Sequence, residues 1–190
     1  MSASVNGTLR TSILLFLLLN APVNAATPSC KGSCDIQVNF TGRFEMETCQ
    51  ISIDNRSANE TVELPVVSSS SLEHAGDESG TKSFLVILKK CPGAVTVGVH
   101  FISVASTQVD MTTGNIKNSS AAGMSPETQL RLRNSAGVQM LLNDTTSIQD
   151  YIIPQSGGDV QHNFNVSYYA QTPVTPGKVS ATAGIEMIYK

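Results

Sequence analysis

The chain has 190 residues, a formal net charge of −3, four cysteines and no tryptophan. Its few Lys and Arg residues are scattered rather than clustered, which excludes the basic footprint of a nucleic-acid binder.

Residues 1–25 read as a secretory signal peptide. Arg10 precedes the apolar run Ile13–Leu19, and the small-residue stretch Ala21-Pro22-Val23-Asn24-Ala25 follows, which is the order basic, apolar, small-x-small. The run is well short of the ~20 residues that cross a bilayer. Removing Arg10 with it takes the formal charge from −3 to −4. No second long apolar run follows, so no membrane insertion is expected after cleavage. Residues 26–190 suffice for one domain with its own core.

The next segment, "ATPSCKGSCDIQVN", carries Cys30, Gly32, Cys34, Ile36, Val38 and Phe40 at one parity. Extended, they would all face one side. In an exported chain an even number of cysteines favours disulfides over free thiols. Cys30, Cys34, Cys49 and Cys91 allow three pairings, and spacing does not choose among them. A zinc site fits this spacing poorly.

From Cys49 onward the chain reads as strands. "CQISI" places Cys49, Ile51 and Ile53 on one face, and "TVEL" pairs Val62 with Leu64. "SFLVILKKC" sets Phe84, Val86 and Leu88 on one face. Next come "AVTVGVHF", "QLRLR", "GVQMLL" and "HNFNVSYYA". Turn-rich stretches such as "SSSSLEHAGDESG", "TTGNIKNSSAAG" and "IPQSGGD" separate them. No segment shows sustained helical periodicity, although a short turn of helix fits near residues 68–75. In the last strand Val179, Ala181, Ala183, Ile185, Met187 and Tyr189 alternate with polar Ser180, Thr182 and Glu186. Such alternation describes a strand with one buried face. The expectation is an all-β sandwich.

Catalytic chemistry finds little support. His74, His100 and His162 have no nucleophile or metal motif nearby, so each reads as a surface or strand-edge residue. Asp77 and Glu78 read as solvated loop charge, and "PGKVS" lacks the spacing of a phosphate loop. The expectation is a non-enzyme with no cofactor and no metal. Asn-x-Ser/Thr triplets at Asn39, Asn55, Asn59, Asn118, Asn143 and Asn165 raise a different class, a secreted immunoglobulin-like receptor module. Asn39 and Asn165 fall inside expected strands, where glycans fit poorly, and the tryptophan usual in such modules is missing.

One set of residues carries a resemblance: Phe40-x-Gly42, Cys49-x-Ile51, Val62-x-Leu64, Phe84-x-Val86-x-Leu88-x-x-Cys91, Phe164-x-Val166-x-Tyr168-Tyr169-Ala170, Pro176-Gly177-x-Val179, and the alternating strand ending at Tyr189. In order and spacing the chain resembles the pilin subunits of chaperone–usher fimbriae, over nearly all of residues 26–190. The resemblance implies an immunoglobulin-like β-sandwich lacking its final strand (the pilin fold), with an open apolar groove completed by donor-strand complementation. Residues 26–39 would be an N-terminal extension, with Cys34, Ile36 and Val38 in the donor strand, and 40–190 the pilin domain. Val179, Ala181, Ala183, Ile185, Met187, Tyr189 and Lys190 would form the acceptor-groove and chaperone-binding strand, the Lys190 carboxylate docking on basic residues of the chaperone. The implied partners are a periplasmic chaperone, an outer-membrane usher and other pilin subunits. The implied destination, reached through the periplasm, is a cell-surface fimbrium that supports adhesion.

In this frame Cys49 and Cys91 are the expected bridge; a Cys34–Cys49 pairing is the alternative. A Cys30–Cys34 bridge would bend the donor, because four residues of strand span ~13 Å and a disulfide needs its Cα atoms within roughly 7 Å. That modification hints at a minor or specialised subunit. A tip or adaptor subunit with direct receptor binding is the alternative to a shaft subunit.

Overall fold

The computed structural model describes residues 39–43, 47–104 and 108–190. The chain divides into two units, Met1–Arg43 and Phe44–Lys190. The expected signal peptide, and Cys30, Cys34, Ile36 and Val38 of the expected donor strand, lie outside the described residues. In the first unit the described residues Asn39–Arg43 are exposed and form no strand.

The second unit is built from antiparallel strands: β1 (Gln50–Ile53), β2 (Glu78–Cys91), β3 (Thr96–Ser103), β4 (Ile116–Lys117), β5 (Thr128–Asn134), β6 (Gln149–Ile152), β7 (Gly158–Ala170) and β8 (Ala183–Tyr189). One sheet runs β1-β2-β7-β5-β4 and the other β6-β3-β8. The inward parity of each strand supplies the core between them: Phe84, Val86 and Leu88 on β2, Val97, Val99 and Phe101 on β3, Leu130 and Leu132 on β5, Phe164 and Val166 on β7. Phe101 meets Phe164 edge-on, with ring centroids 5.2 Å apart, and Phe84 stacks on Phe164 at 5.9 Å. Each such side chain contributes about 1.5–3 kcal/mol by leaving water.

Two ties hold the sheets and strands in place. The fully buried Tyr151 of β6 donates its hydroxyl to the Val86 carbonyl at 3.0 Å, crossing from one sheet to the other. Burial pushes its phenol well above the ordinary range. Cys49 and Cys91 are joined in a disulfide that links the start of β1 to the end of β2; closing a loop of this length stabilises by about 4 kcal/mol on chain-entropy grounds. The β2–β7 pairing shifts register between Ser79 and Lys82. There Gly80 has φ +66°, and a Cβ would lie 2.7 Å from the Tyr168 ring, so only glycine fits.

Several expectations change. The short helical turn is a 3-10 helix at Ser69–Leu72, capped by the Ser68 hydroxyl. Thr61–Leu64 is not a strand, although Val62 and Leu64 still pack on the core. The "GVQMLL" stretch makes one isolated bridge, Arg133–Gln139, and buries Met140 and Leu142 from a loop. Ile116–Lys117 and Gln149–Ile152 are strands within stretches read as turns or passed over. His100 is not at a surface: it is only 2% exposed, and its Nε2 lies 2.6 Å from Glu186 Oε2 because the two residues face each other across β3 and β8. Glu78 is not solvated loop charge either. It opens β2 and pairs with Arg131 and Arg133 at 2.6 and 2.7 Å.

The outward face of the five-stranded sheet carries a polar network. Asp110 accepts from the backbone N–H groups of Thr112 and Thr113 and from the side-chain amides of Gln129 and Gln171. Asn115 donates to Gln129 and accepts from Arg131 and Gln139. Arg131 also lies over the Tyr169 ring, 3.9 Å from its centroid.

Candidate functional site: an apolar groove between two free strand edges

The sheet orders leave β1 and β8 each with one partner strand among the described residues, β2 and β3 respectively. Between these two edges lies a groove of about 800 Å³. One wall is β8 and the chain leading into it: Ala181, Ala183 and Ile185 line the space. The other wall is Ile51 and Ile53 on β1, extended by Val62 and Leu64 from the segment after it. The floor is the core itself, with Phe84, Phe101, Leu132 and Val166 reaching the cavity.

The local sequence explains the shape. Small residues at 181 and 183 leave room along the β8 wall, whereas bulkier Met187 and Tyr189 pack on the core and do not line the space. The chain before β8 is pinned by Asn118, whose Nδ2 donates to the Ser125 and Lys178 carbonyls, each at 2.8 Å, and whose Oδ1 accepts from the Ser180 N–H. Val179 packs on the core from this pinned stretch. Lys190 donates its backbone N–H to Thr96 O, and its ammonium lies 2.6 Å from Asp150 Oδ1.

Sequence reasoning placed β8 at a groove wall but missed the opposite one. The parity of Cys49, Ile51 and Ile53 marked one apolar face on β1, but nothing local said that it looks across a groove toward β8. Chemically, the groove offers apolar side chains and two strand edges, each with one side unpaired by a strand. A site of this kind suits an extended peptide, which can pair its backbone with an edge and seat alternate side chains on the floor. Polar residues such as Asn59, Glu60, Thr61 and Thr182 stand among the lining. Among the described residues no group of His, Cys, Asp and Glu could hold a metal ion.

Comparison with known proteins identifies the family. The family described as fimbrial protein matches residues 38–190. The chain is 32% identical over 173 residues to the F17 fimbrial protein of Escherichia coli, covering 87% of this chain and 93% of that protein. It is 30% identical over 173 residues to the major fimbrial subunit SMF-1 of Stenotrophomonas maltophilia, covering 87% and 98%. Among solved structures, the P pilus rod subunit PapA superposes with a TM-score of 0.58 at 18% identity, covering 76% of this chain and all of that one, which speaks for the fold. The chain therefore belongs to the fimbrial protein family: it is a fimbrial structural subunit, not an enzyme.

Proposed function

We propose that this subunit polymerises by strand exchange: the groove between β1 and β8 accepts a β-strand from a neighbouring subunit, and residues 26–39 are the strand it donates in turn. The observation that carries this reading is the pair of sheet-edge strands, each with one partner strand among the described residues, flanking an apolar groove of about 800 Å³. An inserted strand meets both needs of the site at once, hydrogen-bond partners for the edges and apolar side chains for the floor. The segment 26–39 has the matching alternation in Cys34, Ile36 and Val38.

Before assembly the same groove needs a temporary occupant, because an open apolar groove beside an unpaired edge invites wrong partners. A periplasmic chaperone lending a strand supplies it, gripping the β8 side from Val179 to Lys190, and an outer-membrane usher is where exchange takes place. Residues 1–25 direct export and are removed. The assembled fibre stands on the cell surface and supports adhesion, with this chain as a structural subunit along it.

Expression in a periplasm with and without the cognate chaperone tests the reading. Alone, the subunit should be degraded or aggregate; with the chaperone it should accumulate as a one-to-one complex. A stable lone monomer with cooperative unfolding counts against an unfilled groove.

A further inference from the structure

One end of the groove is closed, and the closure is a single hydrogen bond. Tyr189 lies opposite Val97 at the end of the β3–β8 pairing, with its ring packed on the core. Its hydroxyl accepts the Cys49 N–H at 2.6 Å. Cys49 immediately precedes β1, is buried, and is fixed to the end of β2 by its disulfide with Cys91. The bond therefore runs from the wall strand of one sheet to the wall strand of the other. The open space stops short of it: Ile51 and Ile53 line the cavity on one side and Ala181 to Ile185 on the other, while Cys49, Met187 and Tyr189 do not. At the opposite end the residues Ala181 and Thr182 also border a second, polar pocket of about 360 Å³, so that end is not capped in this way.

A strand entering such a groove faces an ambiguity that its own pattern does not resolve. A slip of one residue turns every apolar side chain outward, but a slip of two restores the alternation. Some feature at an end has to select among registers two residues apart.

We propose that the Tyr189 hydroxyl is a register stop for the inserted strand. It occupies the Cys49 N–H, so the β1 edge offers no further donor at that point. Tyr189 acts here by positioning the partner strand. The inference rests on the strand-accepting reading above, and its occupant is the donor segment of a second copy of this chain.

The test uses residues 26–190 carrying Ile36→Asp and Val38→Asp, which disable the chain's own donor. This protein is refolded around an isotope-labelled peptide of residues 28–40 with Cys30→Ser and Cys34→Ser, and amide exchange is followed by NMR. With Tyr189 intact, one set of peptide amides should be protected. Tyr189→Phe keeps the ring and removes only the hydroxyl. It should give two sets offset by two residues, and exchange at the Cys49 amide should quicken about tenfold, as expected for the loss of one hydrogen bond. A single unchanged set in Tyr189→Phe overturns the stop while leaving strand acceptance intact. If that variant does not refold, peptides lengthened by two residues at each end in turn decide the matter on the Tyr189 protein. The stop requires that one of the two extensions add no protected amide, and gains at both ends overturn it. Failure of every peptide to bind the Tyr189 protein sinks strand acceptance itself, and the stop with it.

Discussion

Along the groove, Ile51, Ile53, Ala183 and Ile185 leave apolar surface open beside strand edges without a second partner strand. On the outward face of the five-stranded sheet the reverse holds: Asn115 and Gln129 are each only 1% exposed, yet both are fully engaged by Asp110, Thr113, Arg131 and Gln139. The polar region is finished within the chain, at the cost of several side chains committed to one another. The apolar region is finished only when something else arrives. Burial alone does not separate a structural region from a binding region; what separates them is whether each group's needs are met internally.

The sharpest way to break this contrast is to place a charge in the unfinished region. Ile185→Asp puts a carboxylate on the groove wall, where an inserted strand would bury it without a partner, a penalty of several kcal/mol. Capture by the chaperone should fail, and the subunit should vanish from the periplasm. Ile36→Asp or Val38→Asp alters only the segment to be donated. Those variants should accumulate in chaperone complexes and be missing from sheared surface fibres. Pull-down with the chaperone and quantification of subunit in the fibres read both outcomes. Normal entry of the Ile36 and Val38 variants into fibres would mean that residues 26–39 are not a working donor.

The finished region should respond more modestly. Gln129→Leu fits the space but leaves Asp110 Oδ2, the Asn115 amide and the Thr113 hydroxyl each short of a partner. Loss of buried partners of this kind costs about 1–3 kcal/mol. Urea unfolding of the peptide-completed subunit should show that loss with strand binding unchanged. A Gln129→Leu protein that unfolds normally but loses its donor peptide would erase the distinction between the regions.

The same network carries a pH dependence with a defined sign. Hydrogen bonding from the Thr113 backbone, opposed by burial and joined by Thr112, holds the Asp110 carboxyl below its ordinary value of 3.8. Glu78 is likewise low: burial pushes it up, but hydrogen bonds from Arg133 and Arg131 outweigh that. Groups depressed on folding contribute stability that is fully present above their unfolded values and lost as pH falls through the lowered folded ones. The contribution of these two carboxylates should therefore be flat from neutral pH down to the ordinary carboxylate range and fall below it, while His162, held below its ordinary 6.5 by burial, adds a separate decline that begins near that value. Asp110→Asn should flatten part of that acid limb in urea titrations.

How far the sequence shows this contrast differs between its two halves. The β8 wall is legible because every second residue from Val179 to Tyr189 is apolar, with polar Ser180, Thr182 and Glu186 between them. The β1 wall is not, because the placement of Ile51 and Ile185 on opposite sides of one groove is a long-range fact set by sheet order. The polar network is hidden for a related reason. Asn115 sits in a stretch that reads as a turn, Asp110 lies just before it, and Gln129 alternates with the apolar residues of a strand; only the fold of the 110–115 loop toward β5 buries these three. His100 was misjudged in the same way, since parity turns it away from the core but does not reveal that Glu186 faces it across the sheet.

The smallest effect should come from a pair that belongs to neither region. Lys190 and Asp150 approach to 2.6 Å, but their side chains remain 43% and 48% exposed. Water and salt screen such a pair, and holding two flexible side chains together costs entropy, so its net contribution is about 0.2–1 kcal/mol. Asp150→Asn should lower the melting temperature of the completed subunit by only about 1–3 °C for a chain of this size, and 0.5 M salt should remove most of the difference. The backbone bond from Lys190 to Thr96 and the Tyr189–Cys49 bond do not depend on Asp150, so groove closure should persist in the variant. A melting shift several times larger, or loss of protection at the Cys49 amide in Asp150→Asn, would place this ion pair among the supports of the groove rather than on its solvated margin.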